Sequence, residues 1–301
     1  MKARPECITC IMDDVIGAAK TIPLDDSSMF QLIREALSAL STSYNADTFP
    51  SYYITKVHRI LKHLARKSIL FEEQRAAANE VGMRVRERLR QRAQGLSGAE
   101  RFYLLARWAI AGNSLDFRTV GTGYDLSLDA IEAMLDSYAS RPLVRDDLQG
   151  ILAAVRSARR ILYVLDNVGE IALDCLLIEE IKNQAPCAPH VTAAVKSGAI
   201  TSDAIYEDAS RVGLPGVADS IVTSGSDTLG ISYDEMSGEL REELAAADLI
   251  ISKGQANFYV LSEPVDIIHA QIACLFTTKC LHAARAAGME VLGPSAVLLR
   301  A

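Results

Sequence analysis

The chain has 301 residues, about half of them hydrophobic, and a formal net charge of −7 at pH 7. This length accommodates one large domain or two smaller ones around a sizeable core. The negative charge argues against nucleic-acid and anionic-membrane partners, because the mean field of the protein repels polyanions. No apolar run is long enough to span a membrane. The N-terminus does not resemble a secretory signal, so we expect a cytoplasmic protein.

The first half of the chain is predicted to be helical. Phe30, Ile33, Leu37 and Leu40 fall on one face of the first amphipathic segment. Further segments rich in strong helix formers follow. Trp108 lies in a more apolar segment and is predicted to be a core residue. These patterns indicate a helical region that precedes the rest of the fold.

Six cysteines are scattered along the chain, and only Cys7 and Cys10 form a C-x-x-C pair. Without a second pair they cannot complete a four-thiolate zinc site. Reduced thiols are the expectation in a cytosolic protein. Two interpretations stay open for this pair, a structural role and a metal-binding or redox role.

After Pro142, short β-rich apolar runs alternate with helical segments. The runs are ILYVL, VTAAV, SIV and LII. This alternation predicts a mainly parallel sheet that is covered by helices on both faces. The segment AQIACLFTTKCLHAARAAG is predicted to be a helix, and EVLGPSAVLLR a final strand. We therefore predict a helical N-terminal domain at residues 1–140 and an α/β domain at residues 141–301.

Polar side chains follow the carboxyl ends of four predicted strands, which is where open parallel sheets bind their ligands. In chain order they are Asp166, Asn167, Gly169 and Glu170, then Lys196, Ser197, Gly198 and Asp203, then Thr223, Ser224, Gly225 and Asp227, and finally Ser252, Lys253, Gly254 and Asn257. Each residue alone has an ordinary explanation, such as a helix cap or a turn. Their joint placement at successive strand ends indicates one polar site.

The residue types at these strand ends suggest a reaction class. Asp166, Asn167 and Asp203 supply two carboxylates and an amide oxygen, and such hard ligands suit Mg²⁺ or Mn²⁺ better than a structural zinc. Lys253 and the glycines around it offer an ammonium group and exposed backbone N–H donors. A divalent cation, a lysine and backbone donors are what phosphoryl transfer requires.

The sequence also resembles a known family, the metal-dependent damage-control phosphatases, which are related to the protein once called acidic-residue methyltransferase. Seven ordered segments carry the resemblance: RPECITCIM, AGNSLDF, LDNVGEIALD, SGAITSDAIYEDA, SGSDTLG, ISKGQANF and TTKC. The C-x-x-C start is similar to the prokaryotic branch of the family. The resemblance implies a helical N-terminal part joined to a Rossmann-like three-layer α/β/α domain.

The resemblance further implies roles for individual residues. The metal trio of the family falls on Asp166, Asn167 and Asp203, and the expected cofactor is one divalent ion, Mg²⁺, Mn²⁺, Co²⁺ or Ni²⁺. The other residues expected at the site are Asn113 and Asp116 from the helical part and Ser224, Lys253, Asn257 and Lys279 at the substrate. Asp166, Asn113, Asp116 and Lys253 are the expected catalytic residues.

Two positions depart from the family pattern. Tyr259 stands where members of the family commonly carry an acid, and Leu281 stands where a proline often follows the lysine–cysteine pair. The first departure puts substrate contacts or a proton-transfer step in question. Neither departure touches the proposed metal ligands.

The sequence therefore predicts a divalent-metal phosphatase that acts on a small phosphorylated metabolite, either a sugar phosphate or a damaged phospho-metabolite. Asp116 and Glu170 are the candidates for its general base, and direct attack by Asp166 is an alternative to metal-activated water. Two other functions stay open, a non-catalytic module that binds a phosphometabolite or nucleotide and an S-adenosylmethionine-dependent methyltransferase. The loop after the first strand is poor in glycine, and Lys196 ends the second strand, which both count against the methyltransferase.

Overall fold

In the computed structural model, which describes residues 1–115 and 128–299, one sheet has the strand order β3-β2-β1-β4-β5-β6. The strands are β1 (Arg160–Val164), β2 (His190–Val195), β3 (Ser220–Thr223), β4 (Leu249–Lys253), β5 (Gln271–Thr277) and β6 (Pro294–Leu299). Strands β1 to β5 are parallel, and β6 pairs with β5 in the antiparallel sense. This confirms the predicted α/β class with a mainly parallel sheet. The order is that of a doubly wound sheet, in which β1 and β4 flank the topological switch point.

Helices precede the sheet and connect its strands. They are α1 (Cys7–Lys20), α2 (Asp26–Ser43), α3 (Pro50–Ala65), α4 (Glu72–Arg92), α5 (Gly98–Ala111), α6 (Leu128–Ala139), α7 (Leu148–Ser157), α8 (Glu170–Gln184), α9 (Tyr206–Arg211), α10 (Gly238–Ala246), α11 (Gln255–Leu261) and α12 (Leu281–Ala286). Within the described part of the chain, no helix is both long enough and apolar enough to cross a membrane.

The sheet separates two apolar cores. Residues of α4 to α8 pack on one face, and residues of α10 to α12 pack on the other. Along β1, Ile161 and Tyr163 belong to the first core while Leu162 and Val164 belong to the second, as the two-residue period of a strand requires. The predicted three-layer arrangement is therefore present, and Trp108 is buried in the first core as predicted.

The helical N-terminal part contributes to two different cores. Helices α1 to α3 enclose an apolar cluster of their own, whose buried members lie between Ala3 and Phe71. Helices α4 to α6 instead share their buried residues with the sheet. Helices α4 to α6 therefore pack on the sheet as part of its core, and α1 to α3 form a separate helical unit beside it.

The buried face of α2 differs from the predicted one. Leu32, Ala36 and Leu40 are buried, whereas Phe30 and Leu37 are exposed. Helix α2 carries two overlapping apolar stripes with nearly the same helical spacing. Packing against α1 and α3 buries one stripe and leaves the other at the surface, a choice that helical periodicity alone does not make.

The segment predicted to be a helix at residues 270–288 is a strand followed by a short helix. Its first part forms β5, which pairs with β4 on one side and with β6 on the other. A short continuous apolar run does not distinguish a buried strand from a buried helix by periodicity. Because this run pairs with a strand on each edge, it forms a strand and not a helix. Cys274 therefore lies in the sheet, and Cys280 precedes α12.

Candidate active site

A cavity of about 300 Å³ opens at the carboxyl edge of the sheet. Its walls include Asp166 and Asn167 after β1, Asp203 in the loop after β2, and Lys279 after β5. Parallel strands end at the same edge of a sheet, so side chains from distant parts of the sequence meet there. The structure thus brings four of the sequence-predicted site residues to one cavity.

Backbone contacts hold the ends of β1 and the loop after β2 together. Asn167 and Asp203 form an isolated antiparallel bridge. The N–H of Ala204 donates to the carbonyl of Asp166 at 2.8 Å. Asp166 and Asp203 are both buried. Main-chain bonds therefore hold the backbone of Asp166, after β1, beside that of Asp203, in the loop after β2.

Two amide side chains orient the Asp166 carboxylate. Asn113, on the 3₁₀ turn after α5, donates from Nδ2 to Asp166 Oδ2 at 3.1 Å and to Glu170 Oε2 at 3.3 Å. Asn167 Nδ2 donates to the same two oxygens at 2.6 and 3.0 Å. Ser202 Oγ in turn donates to Asn167 Oδ1 at 2.7 Å. The amides satisfy two neighbouring carboxylates that would otherwise repel each other.

Lys253 lies beneath the site and does not line the cavity. Its fully buried ammonium donates to the carbonyl of Ala109 at 2.9 Å, to Glu170 Oε1 at 2.5 Å and to Asp174 Oδ1 at 2.7 Å. An ammonium has three hydrogens, so these contacts use all of its donors. Lys253 was expected to contact a substrate phosphate, but its three hydrogens are directed at these buried partners and not into the cavity, because burying this cation requires the two carboxylates.

The charge on this buried group is set by its neighbours. Burial lowers the pKa of Lys253, but Asp174 and Glu170 outweigh burial and bring the pKa above its ordinary value. Burial raises the pKa of Asp174 to about 6, against the lowering effect of Lys253. Tyr163 donates its hydroxyl to Asp174 at 2.6 Å. The lysine stays charged, and the network joins β1, β4 and α8 under the site.

Gly254 permits β4 to approach the Asp166 carboxylate. Its φ is +78°, and a Cβ at this position would lie 2.0 Å from Asp166 Oδ2. Only glycine combines that backbone conformation with the missing side chain. Asn257 is fully buried three residues later and donates to the carbonyls of Leu165 and Lys253 at 3.2 and 2.9 Å. Asn257 therefore ties β1 to β4 and is not placed in the cavity wall.

The remaining predicted residues have different placements. The hydroxyl of Ser224 donates to the carbonyl of Ser226 at 3.0 Å, and this serine does not line the cavity. Glu170 is buried against Lys253 and likewise does not line it. Asp116 lies outside the described residues. Of the residues expected at the substrate, Lys279 is therefore the one seen in the cavity wall among those the structure describes.

Several residues of the site have no counterpart in the sequence-based prediction. Asp14 of α1, Ile54 of α3 and Gln255 of α11 also line the cavity, and so does Tyr259, which the sequence marked only as a departure from the family pattern. Arg75 of α4 is buried and donates to the main-chain carbonyls of the loop at residues 201–203. Their positions depend on how α1, α3 and α4 pack on the sheet, and no local pattern marks them.

The donor set of the cavity determines which ion it fits. In the described part of the chain, no three His, Cys, Asp or Glu side chains are grouped as metal ligands. Three residues of the cavity, Asp166, Asp203 and Asn167, offer two carboxylates and one amide, and Lys196 Nζ lies 3.5 Å from Asp203 Oδ2. Oxygen donors of this type fit a hard divalent cation such as Mg²⁺ or Mn²⁺.

The fold and the site define an α/β protein that carries an acidic, oxygen-rich cavity at the carboxyl edge of a doubly wound sheet. The family model of the damage-control phosphatase ARMT1-like domain matches residues 3–292. The chain belongs to this family.

Related proteins match along nearly the whole chain. The protein MJ0202 of Methanocaldococcus jannaschii is 32% identical over 302 residues, which cover 100% of this chain and 96% of the relative. A damage-control phosphatase of Archaeoglobus fulgidus is 31% identical and covers 97% of each chain. The crystal structure of a DUF89 family protein of Pyrococcus horikoshii, PH1575, superposes with a TM-score of 0.88 at 27% identity and 99% coverage of both chains. These relationships support a phosphatase enzyme.

Proposed function

We propose that this protein is a divalent-metal-dependent phosphatase that hydrolyses small phosphorylated metabolites, either sugar phosphates or damaged phospho-metabolites. The observation that carries the proposal is that Asp166, Asn167, Asp203 and Lys279 line one cavity. An oxygen-rich donor set and a cation in one cavity suit a phosphate monoester, whose oxygens need positive charge around them. The relatives named damage-control phosphatase support the reaction class.

Asp166, Asn167 and Asp203 would hold the divalent ion. Such an ion supplies Lewis-acid polarisation of a phosphate and activation of water near neutral pH. The exposed Lys279 would bind a phosphate oxygen through a charge-assisted hydrogen bond. Asn113 keeps the Asp166 carboxylate in place.

The space around the cavity supports a small organic leaving group. A second cavity of about 690 Å³ shares Leu229 with the first one, and its walls include Phe49 and Tyr52. Aromatic walls with a few polar groups are typical of small-molecule sites. The carboxylates of Asp47, Asp234 and Glu263 line this second cavity together with the cation of Lys2, and this excess of negative charge would repel a second phosphate group. We therefore expect monophosphates with an uncharged or cationic organic part to be the better substrates.

Phosphate release from a panel of sugar monophosphates and bisphosphates, with Mg²⁺, Mn²⁺, Co²⁺ or Ni²⁺, tests the proposal. We expect turnover by the wild type, and a loss of both metal binding and turnover in Asp166→Asn. The exposed Asp13→Asn is the matched control, expected to behave as wild type. Absence of turnover with every metal and substrate, or wild-type metal affinity in Asp166→Asn, contradicts the proposal.

The same protein preparation distinguishes the two other functions. Tight binding of a monophosphate without turnover indicates a binding module. A calorimetric titration with S-adenosylmethionine tests the methyltransferase, for which saturable binding is required.

A further inference from the structure

Three carboxylates line the cavity in the described part of the chain, those of Asp14, Asp166 and Asp203. The last two belong to the proposed metal site. Glu170, one of the two acids that the sequence offered as a base, is buried outside the cavity, where Lys253 and two amide side chains occupy its oxygens. The other, Asp116, lies outside the described residues. Among the described residues, Asp14 is therefore the cavity carboxylate that has no assigned role.

Asp14 is paired with a buried histidine. His58 Nε2, on α3, lies 2.6 Å from Asp14 Oδ2, on α1. The histidine is fully buried, whereas a quarter of the Asp14 side chain is exposed. The other ring nitrogen, Nδ1, has no hydrogen-bond partner among the described residues. A hydrogen on Nδ1 would be a buried unpaired donor, so the hydrogen-bond pattern assigns the tautomer that carries its hydrogen on Nε2.

The histidine is neutral near pH 7. Burial lowers the pKa of His58 to about 4, with a further lowering by Lys62 and an opposing effect of Asp203. A neutral imidazole therefore donates its N–H to the Asp14 carboxyl group. Asp14 shares its cavity with Asp166 and Asp203, so the pair lies beside the proposed metal site.

We propose that Asp14 is the general base of the phosphatase reaction and that His58 is a positioning residue that holds its carboxylate toward the cavity. This inference rests on the proposed function. An ionised carboxylate has about four acceptor sites, so Asp14 can accept the N–H of His58 and a hydrogen of a water molecule together.

The step balances without a further reactant. The water oxygen forms a bond to phosphorus, one water proton passes to Asp14, and the bond between phosphorus and the alcohol oxygen breaks. The alkoxide takes a proton from solvent, and Asp14 returns its own proton to solvent. General-base assistance of this kind contributes roughly 10²–10⁴-fold to a rate.

The Asp14→Asn variant tests the base, and Asp13→Asn is its matched control because Asp13 is the exposed neighbour on the same helix. An amide keeps an oxygen that accepts from His58, so the fold is retained. We expect kcat of Asp14→Asn to fall roughly 10²–10⁴-fold. We expect its KM, and its Mn²⁺ affinity measured by calorimetry, to stay close to those of the wild type. A kcat near that of Asp13→Asn would overturn the proposal, and so would a parallel loss of Mn²⁺ affinity, which would make Asp14 a metal ligand.

Two variants of His58 test the positioning role through the pH–rate profile. His58→Leu removes the donor that favours the ionised carboxylate, so the acid limb of kcat should move to higher pH. His58→Gln retains an N–H donor, so its acid limb should lie close to that of the wild type. A purely structural role would lower the melting temperature of both variants and leave the acid limb in place, which would overturn the assignment of His58.

These measurements separate the two proposals. A wild type without turnover on the whole panel rejects the proposed function, and the general base falls with it. If the wild type is active and Asp14→Asn is equally active, only the assignment of Asp14 as the general base is rejected, and the proposed function stands.

Discussion

Replacing Lys253 by methionine removes a buried cation while it keeps a side chain of similar length. In the wild type the ammonium lies 2.5 Å from Glu170 Oε1 and 2.7 Å from Asp174 Oδ1, and all three side chains are essentially inaccessible to solvent. The variant retains both carboxylates without their counter-ion. Breaking a buried pair by removing one partner costs about 3–5 kcal/mol. We expect the free energy of unfolding to fall by that amount near pH 8.

The loss should depend on pH with a definite sign. Burial raises the pKa of Asp174 to about 6 from an ordinary value of 3.8. A carboxyl group with a raised pKa in the folded state contributes stability below its unfolded pKa, and that contribution is lost as pH rises through the folded value. Without Lys253 the folded pKa rises further. The variant should therefore lose less stability at pH 5.5 than at pH 8.

Urea unfolding followed by circular dichroism at these two pH values is the measurement. Lys182→Met is the matched control, because the Lys182 ion pair with Asp219 at 2.7 Å is partly exposed and is expected to be worth less than about 1 kcal/mol. Adding Asp174→Asn to Lys253→Met should restore part of the lost stability. A variant as stable as wild type at pH 8, or equally destabilised at both pH values, would refute the buried-pair reasoning.

Three further predictions concern the cavity and its support. Gly254→Ala places a Cβ against the Asp166 carboxylate and should weaken Mn²⁺ binding at least tenfold by calorimetry, in the range seen when the surroundings of metal ligands are disturbed. Arg75→Met leaves Asp208, the buried ion-pair partner of Arg75, without its cation, removes the donors to the carbonyls of the 201–203 loop, and should lower the free energy of unfolding by about 3–5 kcal/mol, read from urea midpoints. Lys279→Met removes a cavity cation and should raise KM for a sugar monophosphate roughly tenfold or more, with an unchanged melting temperature.

Matched controls exist for each of these variants. Gly216→Ala adds a Cβ where no atom lies within 4 Å, so its metal affinity should equal that of the wild type. Arg84→Met removes an exposed arginine of the same helix as the buried one, and Lys20→Met removes an exposed lysine. A test variant that behaves like its control contradicts the corresponding prediction.

Local pattern was sufficient for much of the architecture. The alternation of short apolar runs with helical segments predicts the parallel strands β1 to β4, because a strand that is buried on both faces is made of a nearly continuous apolar run. The same pattern failed at β5, where a run of seven residues pairs with a strand on each side. Strand pairing is a long-range property, and it overrode the local helical signal of residues 270–288.

The amino-acid sequence by itself determined that acids, amides and lysines follow the strands, and hence that an oxygen-rich site lies at the carboxyl edge of the sheet. Tertiary structure alone decided the direction of each side chain. Lys253 ends β4 and Lys279 follows the neighbouring β5, and both carry the same ammonium group, yet one is enclosed by Glu170 and Asp174 and the other lines the cavity. Asp14 enters the cavity wall only because α1 and α3 pack together there. Burial and partners depend on contacts between residues far apart in the chain, which no local spacing records.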